Sequence, residues 1–218
     1  MTDKHRRFLG PVVEMRKLHD SAEQRIVHSA EMLDRQSLAS VGDTTGERLT
    51  ALLTETKAHT PEELAANVAR IGELLGRFAL YVPARFTDDP AEQAKYWAVR
   101  SGIFPAVGGS RPAGTTCLSE DVAFHIEDLP RATAELQALI ARHGYDACIY
   151  GHALEDNYHF IINQSFSPPA EVARYEALMN DVAELVSAGT TARSKPSMAR
   201  GATWRPSSAA SRATTPWP

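Results

Sequence analysis

Apolar and polar positions follow two rhythms along this chain, and each change of rhythm marks an element. Leu64, Val68, Ile71 and Leu75 recur at helical spacing behind Thr60-Pro61-Glu62-Glu63. Threonine there suits the N-cap, proline the first helical position, and a glutamate completes a capping box. Gly76 ends this helix, which is expected to cover a sheet face. Asp128-Leu129-Pro130 opens another, carrying Ala132, Leu136, Leu139 and Ile140, and Gly144 closes it. A third runs from Pro169 to Leu185 with Val172, Tyr175, Leu178, Met179 and Val182 inward. Asp88-Asp89-Pro90 starts a helix through Trp97 and Arg100 that ends at Gly102. Residues 1–42 read as helical in their middle, with Ile26, Val27, Met32, Leu33 and Leu38 set among charges.

Strands are expected at Leu49–Thr56, at Phe78–Pro83, and at Cys117–Ile126 with Val122, Phe124 and Ile126 on one face. Two further apolar runs, Ala147–Gly151 and Phe160–Ile162, flank Gly151-His152-Ala153-Leu154-Glu155-Asp156-Asn157-Tyr158-His159 and read as a β-hairpin. Gly42–Gly46 and Gly108–Gly114 are loops. The order β-α-β, an inserted helix, then β-α-β-β-α gives an α+β fold, a ferredoxin-like antiparallel sheet with helices on one face. From Ser187 onward the residues are Ser, Thr, Ala, Arg and Pro without apolar period, so a disordered basic tail is expected. The chain thus divides into an N-terminal helical segment (1–42), a main domain (43–186) and the tail (187–218).

Composition adds limits to this outline. The 218 residues are 43% hydrophobic and 23% charged, as in a soluble globular protein. No secretory signal and no bilayer-length apolar run is present, so a cytoplasmic location and no membrane span are expected. Cys117 and Cys148 stand alone without a CxxC pair and read as small half-buried strand residues. Net charge is -4, yet the tail's five basic residues carry +5, which leaves -9 on residues 1–186. An acidic body excludes nucleic acid as a partner for the folded part.

Candidate chemistry gathers at the hairpin. A turn around Leu154–Asn157 brings His152 and His159 onto paired strands, where opposite side chains lie about 5 Å apart. Two imidazoles so placed can hold a metal ion, and equally can be two of eight histidines near a turn by chance. Asp156 and Asn157 suit a tight turn. Arg100 either clamps a carboxylate through two parallel hydrogen bonds or is a solvated surface arginine. Glu120 and Asp121 are ligands or edge charges. The Gly108 loop matches neither GxGxxG nor a P-loop.

Trp97-Ala98-Val99-Arg100-Ser101-Gly102-Ile103-Phe104-Pro105-Ala106-Val107-Gly108, then Glu120-Asp121-Val122-Ala123-Phe124, then Gly151–His159, resemble in order the C-terminal half of FAD-linked 2-hydroxyacid dehydrogenases. This group contains D-lactate dehydrogenase, glycolate oxidase and D-2-hydroxyglutarate dehydrogenase, and the likeness is nearest to large bacterial members fused to an iron-sulfur module. It runs from about Leu33 to Val186. It implies FAD held by an N-terminal domain, a ferredoxin-like cap over the substrate, His152 and His159 as ligands of a divalent metal such as zinc or manganese, and Arg100 and Asn157 as substrate-binding residues. A fragment of an oxidoreductase, inactive alone and served by a separate FAD-domain chain, is the expected function. The other reading is a stand-alone module that binds metal or a small acid without catalysis.

Three departures from the family stand out. Asp156 occupies a position where the family usually has glycine, so a different backbone course is expected there. No Gly-rich phosphate-binding segment lies upstream. After the last helix the family continues with a segment close to YDGSLKAEHGTGRNMAPF, whose glutamate completes the metal site and whose histidine is the expected base. Gly189–Ser207 and that segment can be written as one DNA sequence in frames offset by two bases, the single codons of Met198 and Trp204 included. The tail is therefore expected to be a frameshifted translation, the competing reading being a natural low-complexity tail. Sequencing the gene across the codons for Val186 to Ser207 checks this: AEHGTGRN is expected in a neighbouring frame, and a sequence unable to spell it refutes the frameshift.

Overall fold

The computed structural model describes residues 3–20, 25–42 and 50–191, with side chains from Gly10 to Ala188. Its elements in chain order are α1 (Asp3–His19), β1 (Ser29–Leu33), α2 (Arg35–Ser40), β2 (Ala51–Glu55), α3 (Pro61–Leu75), α4 (Pro90–Gly109), β3 (Thr116–Ala123), α5 (Leu129–Arg142), β4 (Cys148–His152), β5 (Asn157–Gln164) and α6 (Pro169–Thr191). The strands form one antiparallel sheet in the order β2-β1-β4-β5-β3, giving the α+β fold expected from the sequence.

Side chains alternate across this sheet and separate two apolar layers. Ala30 and Met32 of β1, Ile149 of β4, Tyr158, Phe160 and Ile162 of β5, and Val122 of β3 face the larger core with α1, α3, α5 and α6. Leu33, Cys148, Tyr150 and Ile161 emerge on the other side, under Ile103 and Val107 of α4 and beside Leu38 and Val41 at α2. The main helical layer thus lies on one face, while α2 and α4 partly cover the opposite one.

Local signals hold where packing agrees with them. Glu63 N donates to Thr60 Oγ1 at 3.2 Å, and the Glu63 carboxylate accepts from His59 N at 3.0 Å, so the start of α3 is capped from both sides. Gly144, at φ 74°, closes α5 in the left-handed conformation that glycine adopts most readily. Cys117 is half-buried on β3, and burial pushes the buried Cys148 thiol up to about 12, so both sit as packing residues.

Elsewhere the structure corrects the expectation. The apolar run inside residues 1–42 is not helical throughout: Ser29–Leu33 is a strand inside the sheet, followed by the short helix α2. A short run buried on both faces looks the same to periodicity in either conformation. Phe78–Pro83 is not a strand. Among the described residues no strand pairs with it, and Tyr81 and Val82 are 74% and 65% exposed. The helix expected to stop at Gly102 continues through Pro105 to Gly109 and absorbs the start of the Gly-rich loop. Burial of Ile103 and Val107 against the sheet is worth about 1.5–3 kcal/mol apiece. That offsets the roughly 3 kcal/mol cost of an interior proline. Helix α6 runs on to Thr191, past the expected start of the tail, whose residues 192–218 lie outside the described ones, as does most of the Gly42–Gly46 loop.

One glycine is required by its surroundings. A Cβ on Gly151 (φ 150°) would lie 2.7 Å from the Asn157 carbonyl oxygen and 3.0 Å from Tyr158 Cα. Gly151→Ala is expected to destabilise the fold by about 2–5 kcal/mol, combining strained backbone with overpacking. By contrast, Asp156→Gly, at φ 60°, is expected to leave stability unchanged or raise it by up to about 1 kcal/mol. Urea denaturation of both variants checks the pair.

Candidate functional site

The site is built on the hairpin. Ala153–Asp156 joins β4 to β5, with Glu155 N donating to His152 O at 3.0 Å and Phe124 N donating to Asp156 O at 3.0 Å. Asp156 adopts the left-handed conformation itself, so the change from glycine does not force the backbone onto another course. Burial pushes its carboxyl up, with the Arg16 guanidinium pulling the other way.

Strand register places the remaining groups. His152 pairs with Asn157 and Tyr150 with His159 across β4–β5, Asp121 pairs with His159 across β3–β5, and Glu31 pairs with His152 across β1–β4. All six therefore emerge on the face that carries α4. The two histidines are diagonal neighbours, not a directly opposed pair, with ring centroids 5.6 Å apart and planes at 80°. His152 Nδ1 lies 2.5 Å from Glu31 Oε1, and His159 Nδ1 bonds to Asp121 Oδ1.

Arg100 reaches this row from α4. Its Nε donates to Glu31 Oε2 at 3.1 Å, and its Cζ lies 4.8 Å from the Tyr150 ring centroid, in cation–π range. The Tyr150 ring stands 5.3 Å from His159. Arg100, Glu31, His152, His159 and Tyr150 thus close a ring of mutual contacts. Burial pushes the Tyr150 phenol up, with Arg100 pulling the other way. Asn157 is half-buried on the same face, and among the described residues its side chain has no hydrogen-bond partner.

The structure therefore brings all four sequence-predicted residues, Arg100, His152, Asn157 and His159, to one face. Sequence reasoning missed Glu31 and Tyr150 and left Asp121 undecided. The available signal for Glu31 was a single charge inside the apolar run Ala30–Leu33, hidden by the helical reading of that segment.

What the cluster can hold follows from its donors. Each histidine has its Nδ1 engaged by a carboxylate, the arrangement that orients an imidazole toward a metal through Nε2. Yet among the described residues no group of three or more His, Cys, Asp or Glu converges to hold a metal, and catalytic zinc sites use three protein ligands. The residues present do not complete a metal site. Nor do they fit the phosphates of a flavin: Gly108 and Gly109 form the last turn of α4, where a helix presents carbonyl oxygens and negative charge.

Comparisons with known proteins agree with this fold. The sequence matches the family of FAD linked oxidases, C-terminal domain, over residues 15–190. Among solved structures it is similar to 4-ethylphenol oxidase from Gulosibacter chungangensis in complex with isoeugenol, with a TM-score of 0.50 and 12% identity. The match covers 87% of this chain and 42% of that one, so the chain spans less than half of that oxidase. Curated proteins give no significant match.

The two-ligand geometry makes a direct prediction. Calorimetric titration of the full chain with zinc or manganese is expected to give no stoichiometric uptake approaching the roughly 10–16 kcal/mol of structural zinc sites. Tight one-to-one binding would refute it.

Proposed function

The chain belongs to the family of FAD linked oxidases, C-terminal domain, and on that premise we propose that it is the substrate-facing portion of an FAD-dependent oxidoreductase acting on a 2-hydroxy acid. One observation carries this reading: an arginine, two imidazoles and a side-chain amide share one face of the sheet. Among the described residues Arg100 is hydrogen-bonded through Nε, with Tyr150 against its face, which leaves its two terminal nitrogens for the planar, bidentate grip that suits a carboxylate. The neighbouring His152 and Asn157 offer hydrogen bonds to the hydroxyl on the adjacent carbon.

FAD, the family's cofactor, would supply the redox chemistry when bound beside this face. The role of these residues is to hold the acid by its carboxylate and hydroxyl in a fixed orientation. His152 and His159 act here as hydrogen-bonding groups, and metal assistance would require a third ligand from beyond them.

The same helix supports a flavin-bearing partner. Trp97, Arg100 and Phe104 lie at i, i+3 and i+7 on α4, and Trp97 and Phe104 are more than a third exposed. Tyr81, Val82 and Phe86, in the segment that leads into α4, are exposed as well. An exposed apolar band beside a polar site is the surface a covering domain would bury. No helix of the described residues is long and apolar enough to cross a membrane, so that band is not explained by a span.

The full chain is expected to bind glycolate, seen as shifts of the imidazole resonances of His152 and His159. Arg100→Lys, which keeps the charge and loses the fork, is expected to weaken that binding about tenfold. Supplied with glycolate, free FAD and an artificial electron acceptor, the chain alone is expected to give no turnover. Unaltered glycolate binding in Arg100→Lys, or turnover by the isolated chain, would overturn the reading.

A further inference from the structure

We propose that Glu31 is the positioning residue of this site, a buried carboxylate that sets the direction of both Arg100 and His152. Glu31 is 4% exposed and is the sole charge of β1. Its two oxygens are divided between partners 69 and 121 residues away in sequence: Oε2 accepts from Arg100 Nε at 3.1 Å, and Oε1 meets His152 Nδ1 at 2.5 Å. Burying a carboxylate is costly unless it is fully paired, and an apolar residue of similar size serves packing as well or better. The geometry points instead to orientation.

Each contact fixes one degree of freedom that the binding of an acid needs fixed. Engaging Arg100 at Nε fixes one edge of the planar guanidinium, while the Tyr150 ring supports it at 4.8 Å. Engaging His152 at Nδ1 places the proton there and leaves Nε2 as the outward nitrogen. One carboxylate thereby aligns the group proposed to hold the acid's carboxylate with the group proposed to meet its hydroxyl. His159 receives the same service from a different residue, Asp121, and its Nδ1 is therefore held by a carboxylate other than Glu31. The inference rests on the proposed binding of a 2-hydroxy acid for its purpose, and on geometry alone for the alignment.

Glu31→Gln tests it, because glutamine keeps the shape and has one acceptor oxygen in place of two. In the full 218-residue chain, proton–nitrogen spectra of the imidazole and guanidinium groups report the two alignments directly. The wild type is expected to carry a proton on His152 Nδ1 and a slowly exchanging Arg100 Nε–H. In Glu31→Gln at least one of these signals is expected to move while that of His159 stays in place, and glycolate is expected to bind about tenfold more weakly, the scale of one lost charge-assisted bond.

Unmoved His152 and Arg100 signals would overturn the proposal, as would a change that spreads equally to His159, the sign of a merely structural residue. Should the variant fail to fold, the wild-type spectrum still decides: a His152 protonated at Nε2 alone contradicts the alignment. Moved signals in a chain that binds no glycolate would uphold the alignment and refute the 2-hydroxy acid reading. Glycolate binding that is equal in both forms, with unmoved signals, would do the reverse.

Discussion

The pairing of β4 with β1 on one edge and β5 on the other is the constraint from which the site follows. β4 is only five residues long, and its close approach to β5 at Gly151 leaves no room for a side chain. That contact fixes the register, and in a sheet a slip of one residue would move every side chain to the opposite face. Register is what puts Glu31, Tyr150, His152, Asn157 and His159 on the same side. Ile149, Tyr158 and Phe160 are committed to the large core by the same pairing, so the apolar face enforces the polar one.

The two faces have different work. The side toward α1, α3, α5 and α6 carries the larger apolar cluster, with Gln164 and Glu120 on it hydrogen-bonded to Tyr145 and Tyr175, and supplies most of the burial that holds the sheet. On the other side Leu33, Cys148, Tyr150 and Ile161 form a smaller patch under α4, and the charged ring lies at its border. Helix α4 belongs to both: Ile103 and Val107 anchor it to the sheet, and Arg100, one turn earlier, reaches Glu31. An anchor that close limits how far the guanidinium can wander, which would lower the entropic cost of gripping the proposed ligand.

Charge in the ring is paired throughout. Glu31 faces Arg100 and His152, Asp121 faces His159, and Tyr150 supports Arg100 through its ring. An unpaired buried carboxylate would be among the most expensive groups in the fold, so removing either partner of Glu31 costs more than the pair contributes. Electrostatics therefore ties the site to stability.

The sequence by itself determined the elements whose signals are local. Capping residues at Thr60 and the glycine after α5 each act within a few residues, and hairpin chemistry around Asp156 and Asn157 brought His152 and His159 onto paired strands, whereas the third strand stops at Ala123, before Phe124 and Ile126. Resemblance to a family added Arg100 and Asn157, which periodicity could not distinguish from surface residues. Only tertiary structure decided what depends on distant partners. Ser29–Leu33 is a strand because β2 and β4 supply its hydrogen bonds, α4 passes Gly102 and Pro105 because Ile103 and Val107 find burial, and Phe78–Pro83 is no strand because no edge receives it. Glu31 belongs to the same class: a carboxylate in an apolar run acquires a meaning only when residues 69 and 121 positions away are folded against it.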